Sequence, residues 1–158
     1  GKTPLTTIYY LAAIGITMVL GKETEEGLRH LFMANSEDHL LLLFSSEAYE
    51  SAGRTKEAKE LREKALVELG HAKGILEKII QYNGVSYVKN WLKELEGSEV
   101  PKDEPLKFMH YATLYMLHKL LTERNVLPKE EGERKTSMYY ELSRKSFEEL
   151  LESGKAPA

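Results

Sequence analysis

The chain has 158 residues, a formal net charge of −3 at pH 7 and no cysteine. This length suits one domain with a substantial core. The charge balance gives no electrostatic footprint for nucleic acid, and the lack of cysteine excludes disulfides, thiolate-bound metal centres and thiol catalysis within this chain. Charged residues make up 30% of the sequence, which fits solvated helix faces and is also typical of thermophilic proteins.

Residues 1–22 form an apolar N-terminal segment, of which residues 6–20 carry no charge at all. That stretch is shorter than the ~20 residues needed to span a bilayer. It predicts either a helix or strand buried in the protein's own core, or an element that docks against a neighbouring subunit. A membrane anchor or the remnant of a leader is the less favoured alternative. The compartment therefore stays open between cytoplasmic and exported, and a homo-oligomer is expected.

Residues 23–154 show apolar positions recurring at threes and fours, which predicts an all-α domain. Four long helices are expected at about 24–53, 55–82, 105–124 and 128–153, with Thr24 and Thr55 as N-caps. A short helix capped by Ser86 is expected within the long connection 83–104, where Trp91 and Leu92 would close one end of a bundle. Two hairpins joined by such a crossover are typical of the ferritin-like four-helix bundle. Residues 155–158 are expected to be a frayed tail.

One motif in the second helix suggests chemistry. Glu68 and His71 stand at i and i+3 and therefore lie on neighbouring positions of one helix face. Ferritin-like bundles direct such a Glu-x-x-His pair at a carboxylate-bridged metal pair.

Two stretches carry a resemblance to a known family: GKETEEGLRHLFMANSE at 21–37 and AYESAGRTKEAKELREKALVELGHA at 48–72. They resemble the first helical hairpin of the rubrerythrin family. The second half is similar to that family only in helix length and scattered apolar positions. The resemblance implies a ferritin-like domain with a non-haem di-iron centre that reduces peroxide or oxidises ferrous iron, usually in dimers or larger assemblies.

The ligand positions that the resemblance implies are only partly filled. Glu68 and His71 match, but Asn35 stands where the family has the glutamate of the first helix. Near Thr113 and Met116, where two carboxylates are expected, residues 105–122 contain no Asp or Glu. In the last helix Glu141 is followed at i+3 not by an imidazole but by Arg144, and the guanidinium does not deprotonate.

These substitutions predict a protein that has lost the di-iron centre, with no resident cofactor and no catalytic residue. Arg144 near Glu68 would then replace the metal by an ion pair. The expected role is non-catalytic and structural, with residues 6–20 docking into a neighbouring subunit. The alternative is a metal-binding oxidoreductase, a peroxidase or ferroxidase, with iron or another divalent metal on Glu68, His71 and Glu141.

Several other residues admit weaker interpretations. His39 and His110 are candidate ligands, with His71 and a carboxylate, of a shifted mononuclear site that zinc would accept. Single histidines of this kind are more often hydrogen-bonded core residues. His30 and His118 are interpreted as ordinary. Glu37 and Asp38 are expected to be exposed, and each of the pairs Tyr9-Tyr10 and Tyr139-Tyr140 is expected to give one ring to the core. A small-molecule site in the vacated bundle centre is a third interpretation, with these side chains nearby: Met109, Tyr115, Met116 and Tyr139.

Overall fold

A computed structural model of the chain describes residues 22–154, which form five α-helices and contain no strand. The helices are α1 (Lys22–Ser51), α2 (Thr55–Asn83), α3 (Val85–Gly97), α4 (Glu104–Glu123) and α5 (Lys129–Ser153). The predicted all-α class is therefore confirmed. The interpretations placed on residues 6–20 and on the tail 155–158 lie outside the described residues. Within the described part of the chain, no helix has the length and apolarity that a membrane crossing requires.

The helix boundaries follow local sequence signals, with three N-caps placed differently from expectation. Thr24 and Ser86 lie inside α1 and α3 and are not caps, because each helix begins one or two residues earlier. Thr55 is the first helical residue of α2, whose N-cap is Arg54. Asp103 caps α4 by accepting a hydrogen bond from the Leu106 backbone N–H at 3.3 Å, with Pro105 in the first turn. Gly53 adopts a φ of +79° in the turn between α1 and α2, a conformation that favours glycine.

The helices form two antiparallel hairpins, α1–α2 and α4–α5, joined by α3 and the loop that follows it. Phe44, late in α1, packs near Phe108, early in α4, whereas the earlier His39 is near the charge of Lys119, late in α4. Helices α1 and α4 therefore run in opposite directions. Since α2 also runs opposite to α1, α2 and α4 are parallel. A parallel pair needs a crossover connection, and the predicted long connection with its short helix supplies it.

Small residues define the contact between α1 and α2. Ala58, Ala65 and Ala72 recur every seven residues along α2 and are at most 1% exposed. This spacing keeps them on one helix face and lets the two helices approach closely. The principal neighbour of α2 is α1, with α3 packing against it more sparsely. As a result, much of the opposite face of α2 is exposed, including Leu66 and Val67.

Aromatic side chains fill both ends of the core. At one end, the rings of Phe44, Phe108 and Phe147 lie with their centroids 5.5–6.4 Å apart in three tilted pairs. At the other end, Trp91 of α3 meets Phe32 edge-on at 5.7 Å. Trp91 and Leu92 are both buried, so α3 closes this end of the core as the sequence predicted.

Candidate functional site

The Glu68–His71 pair lies at the edge of the α1–α2 hairpin. His71 Nδ1 is 3.4 Å from Glu68 Oε1, but the His71 side chain is 51% exposed while that of Glu68 is 16% exposed. The alanine face of α2 turns towards α1, and it leaves His71 pointing largely to solvent. The predicted pair is thus close together, although its imidazole does not lie in the bundle interior.

Two acidic residues of α1 accompany this pair. Glu37 and Asp38 are half-buried and not exposed as expected. Burial raises the pKa of the Glu37 carboxyl to about 7, and the charge of Asp38 adds to the effect. Burial likewise raises the pKa of Asp38 to about 7, assisted by the nearby charge of Glu68. The α1–α2 surface therefore carries carboxyl groups that hold protons near neutral pH.

The positions where the rubrerythrin family would supply further ligands are buried and not acidic. Asn35, Thr113 and Met116 are all 0% exposed. The Thr113 hydroxyl donates a hydrogen bond of 2.7 Å to the Met109 carbonyl of its own helix. These side chains are part of the packed interior, and none of them carries a charge.

The predicted residues of the last helix point elsewhere. Glu141 is exposed. Arg144 does form an ion pair, but with Glu47 of α1, at 2.7 Å, since α5 packs beside α1. Its guanidinium also lies over the Phe44 ring at 4.7 Å. The expected partner, Glu68, lies on α2. The ion pair that was predicted to replace a metal therefore forms with Glu47 of α1 instead.

The two weaker ligand candidates, His39 and His110, are both buried in the core, where they contact different residues. His39 Nδ1 donates a hydrogen bond of 2.7 Å to the Ala65 carbonyl of α2, and the ring is 4% exposed. His110 is 7% exposed and lies against Tyr111, with ring centroids 5.6 Å apart. Burial lowers the pKa of both imidazoles. Among residues 22–154, no three His, Asp or Glu side chains form a group that could hold a metal ion.

A different polar cluster joins α3, α4 and α5, and sequence reasoning missed it. Glu96 Oε2 accepts hydrogen bonds from Lys135 Nζ and Tyr139 Oη, each at 3.2 Å. Glu96 Oε1 lies 3.6 Å from Nε2 of His118, whose ring stacks on Tyr139 at 5.1 Å. We call these four residues the Glu96 cluster. The expectation that one ring of the pair Tyr139-Tyr140 enters the core is met by Tyr139, which is 8% exposed.

The tautomer of His118 follows from its hydrogen bond. Nδ1 is 2.7 Å from the carbonyl oxygen of Leu114, which can only accept, so Nδ1 carries a proton. Burial lowers the pKa of this imidazole, so the ring is neutral at pH 7. Nε2 then presents a lone pair to Glu96 Oε1, and the two facing atoms are both hydrogen-bond acceptors.

The Glu96 cluster borders a cavity of about 240 Å³ between the three helices. Leu92 and Leu127 give it apolar walls, while Lys89 and Lys93 stand on the exposed side of α3 beside it. Neither lysine forms an ion pair with another of the described residues. The sequence contains one signal for this site, which is the spacing that puts Lys89, Lys93 and Glu96 on one face of α3. The other members of the site come from distant parts of the chain.

Comparisons of the chain with models of protein families, with curated protein sequences and with solved structures found no match.

Proposed function

We propose that the chain is a ferritin-like helical protein related to rubrerythrins that works without a di-iron centre, as a structural and assembly protein. The order of its helices supports this proposal, because two antiparallel hairpins joined by a crossover are the arrangement of ferritin-like folds. The sequence resemblance of the first hairpin supports it independently.

The observation that carries the proposal is the chemistry of the interior. A di-iron site needs about four carboxylates and one or two imidazoles directed at one point. The corresponding interior positions hold Asn35, Thr113 and Met116, all fully buried, and Glu141 points to solvent. Uncharged, packed side chains at this layer favour a structural role for the bundle.

An exposed apolar surface on α2 supports the assembly role. Leu66 and Val67 are 64% and 55% exposed. Gly70 and Gly74 continue the same helix face, and a Cβ at either would meet nothing within 4 Å. Since exposed apolar surface of this kind marks interaction sites, we assign residues 6–20 of a neighbouring copy as its occupant. That stretch is uncharged and ends close to the start of α1.

Sedimentation analysis of the full-length chain tests the assembly role. We expect an oligomer that dissociates when Leu66 and Val67 are both changed to Lys, because two ammonium groups cannot be buried against an apolar segment. The matched control is Leu106→Lys on α4, whose side chain is 53% exposed and lies away from α2. A monomeric wild-type protein, or an oligomer unchanged in the double variant, would contradict the assignment.

The metalloenzyme alternative has one observation in its favour, which is the carboxyl group of Asp38 near Glu68 and His71. Metal analysis of the full-length protein separates the two functions. We expect substoichiometric iron and no peroxide turnover that depends on Glu68 or His71. About two irons per chain, lost in Glu68→Gln, would overturn the proposal in favour of the peroxidase or ferroxidase.

A further inference from the structure

We propose that the cavity beside the Glu96 cluster binds a small apolar α-amino acid. The ammonium group donates to both Glu96 Oε1 and His118 Nε2 from the cavity, the side chain lies against Leu92 and Leu127, and the carboxylate faces the ammonium groups of Lys89 and Lys93. This binding site is separate from the assembly surface on α2.

The two facing acceptors, Glu96 Oε1 and His118 Nε2, require that one end of the ligand be a hydrogen-bond donor. Two acceptors 3.6 Å apart are brought together favourably by a group that donates to both. An ammonium group has three N–H donors, so it can donate to both atoms. Its hydrogen bond to the Glu96 carboxylate is strengthened because both groups are charged. The His118 ring is 1% exposed, and its lone pair is fixed in direction by the Nδ1 hydrogen bond. The site is therefore built for a donor before any ligand arrives.

The positive charges on α3 favour a negatively charged group, the carboxylate, at the other end of the ligand. Lys93 and Glu96 are three residues apart, so their side chains emerge about one turn apart on the same face. Lys89 lies four residues before Lys93 and extends the basic side of that face. A positive and a negative group separated by one turn complement the adjacent carboxylate and ammonium of an α-amino acid.

The apolar walls and the size limit the side chain. An engineered apolar cavity of ~150 Å³ holds benzene, so a cavity of about 240 Å³ accommodates a molecule somewhat larger. Leucine matches this size and the aliphatic character of Leu92 and Leu127. A charged side chain would lose its hydration against those walls.

Calorimetric titration of the full-length protein with L-leucine and three analogues tests the proposal. We expect saturable binding of one leucine per chain. N-acetyl-leucine lacks the ammonium charge, 3-methylbutylamine lacks the carboxylate, and 4-methylpentanoate lacks the ammonium group altogether. Because hydrogen bonds to charged groups are worth about 1.5–3 kcal/mol, each analogue should bind at least about tenfold more weakly.

Variants locate the binding in the cavity. Glu96→Gln should weaken leucine binding at least about tenfold, whereas the control Glu131→Gln, at the cavity rim, should change it less than about threefold. Leu127→Trp fills the cavity and should abolish binding, with thermal melting as the check that the variant folds. Absence of saturable leucine binding, equal binding of N-acetyl-leucine, or retained binding by a folded Leu127→Trp variant would each overturn the proposal.

Discussion

Gly132 of α5 lies directly against Thr122 of α4. A Cβ built at Gly132 would stand 2.9 Å from both Cβ and Cγ2 of Thr122, and still closer to its Oγ1. In the sequence this glycine only weakens the start of a helix, but in the structure it permits the close approach of two helices. Gly132→Ala should therefore destabilise the protein by about 1–3 kcal/mol, as overpacking does. Chemical denaturation measures the change.

Two further variants separate crowding from helix propensity. Gly74→Ala on α2 meets no neighbouring atom and should stabilise the protein by about 0.5–1 kcal/mol. The double variant Gly132→Ala/Thr122→Ala removes the contacts with Oγ1 and Cγ2 but keeps the contact with Cβ of residue 122, so it should recover only part of the lost stability. Equal effects of Gly132→Ala and Gly74→Ala would contradict the steric explanation.

The interaction of Arg144 with Glu47 should contribute measurably to stability. The Arg144 side chain is 34% exposed, and its guanidinium donates to the Tyr140 hydroxyl at 3.1 Å and stacks on Phe44 in addition to its ion pair. Arg144→Ala should cost about 1–2 kcal/mol, because stacking and a positioned ion pair are lost together. The exposed pair of Arg62 and Glu50, at 3.4 Å, is the control.

In that control, Arg62→Ala should change the free energy of unfolding by less than about 0.5 kcal/mol, as for most surface ion pairs. A double-mutant cycle with Glu47→Gln would isolate the ionic contribution of Arg144. A coupling energy near zero would assign the effect of Arg144 to stacking alone.

Glu37 should make stability fall as the pH rises. Its pKa is raised from 4.5 to about 7 by burial, so the folded state takes up a proton that the unfolded state releases. The contribution is fully present below pH 4.5 and is lost as the pH rises through 7. Glu37→Gln should match the wild type near pH 4 and exceed it by about 1–3 kcal/mol at pH 8.

Urea denaturation of both proteins at each pH measures this difference. The exposed Glu63 of α2 provides a control, since Glu63→Gln should leave the pH profile unchanged. If Glu37→Gln showed the wild-type dependence on pH, the carboxyl would not be titrating in the folded state as described.

His39 should stabilise the α1–α2 hairpin with the opposite dependence on pH. Its imidazole is buried, and its pKa is lowered from 6.5, so its contribution is present above pH 6.5 and is lost as the pH falls through the folded pKa. His39→Leu should cost about 1–2 kcal/mol at pH 7.5 by removing the hydrogen bond to Ala65, and less at pH 5.

The exposed His30, also on α1, is the matched control, and His30→Leu should change stability by no more than about 0.5 kcal/mol at either pH. A cost for His39→Leu that grew towards acid pH would contradict the assigned direction of its pKa shift.

The helices could be predicted because their signals are local. Apolar spacing marks each helix, Gly53 marks the first turn and Pro105 marks the start of α4. Thr24, Thr55 and Ser86 failed as caps because a suitable side chain does not by itself prevent the helix from beginning at that residue or one or two residues before it. Cap identity depends on the backbone conformation, which the residue type only biases.

The orientation of the Glu68–His71 pair could not be read from its spacing. That spacing puts the two residues on one side of α2 but does not say which side packs inward. With 100° per residue, Glu68 lies about 60° and His71 about 120° around the helix from Ala65. The alanines are the signal that fixes the buried face, and relative to them His71 has to be exposed.

The Glu96 cluster could not be predicted for a different reason. Glu96, His118 and Tyr139 come from three helices and meet only because α3 crosses the end of the α4–α5 hairpin. No local pattern encodes that meeting. A buried histidine and an exposed one look alike in a sequence, so nothing in the sequence distinguishes His118 from an ordinary histidine.

The seven-residue spacing of Ala58, Ala65 and Ala72 has a consequence for how this hairpin can change in length. Seven residues are close to two helical turns, so inserting or deleting seven residues in α2 leaves the alanine face directed at α1. Inserting two or three residues rotates polar side chains into the contact. We therefore expect the contact between α1 and α2 to tolerate a change of seven residues in α2 better than a change of two or three.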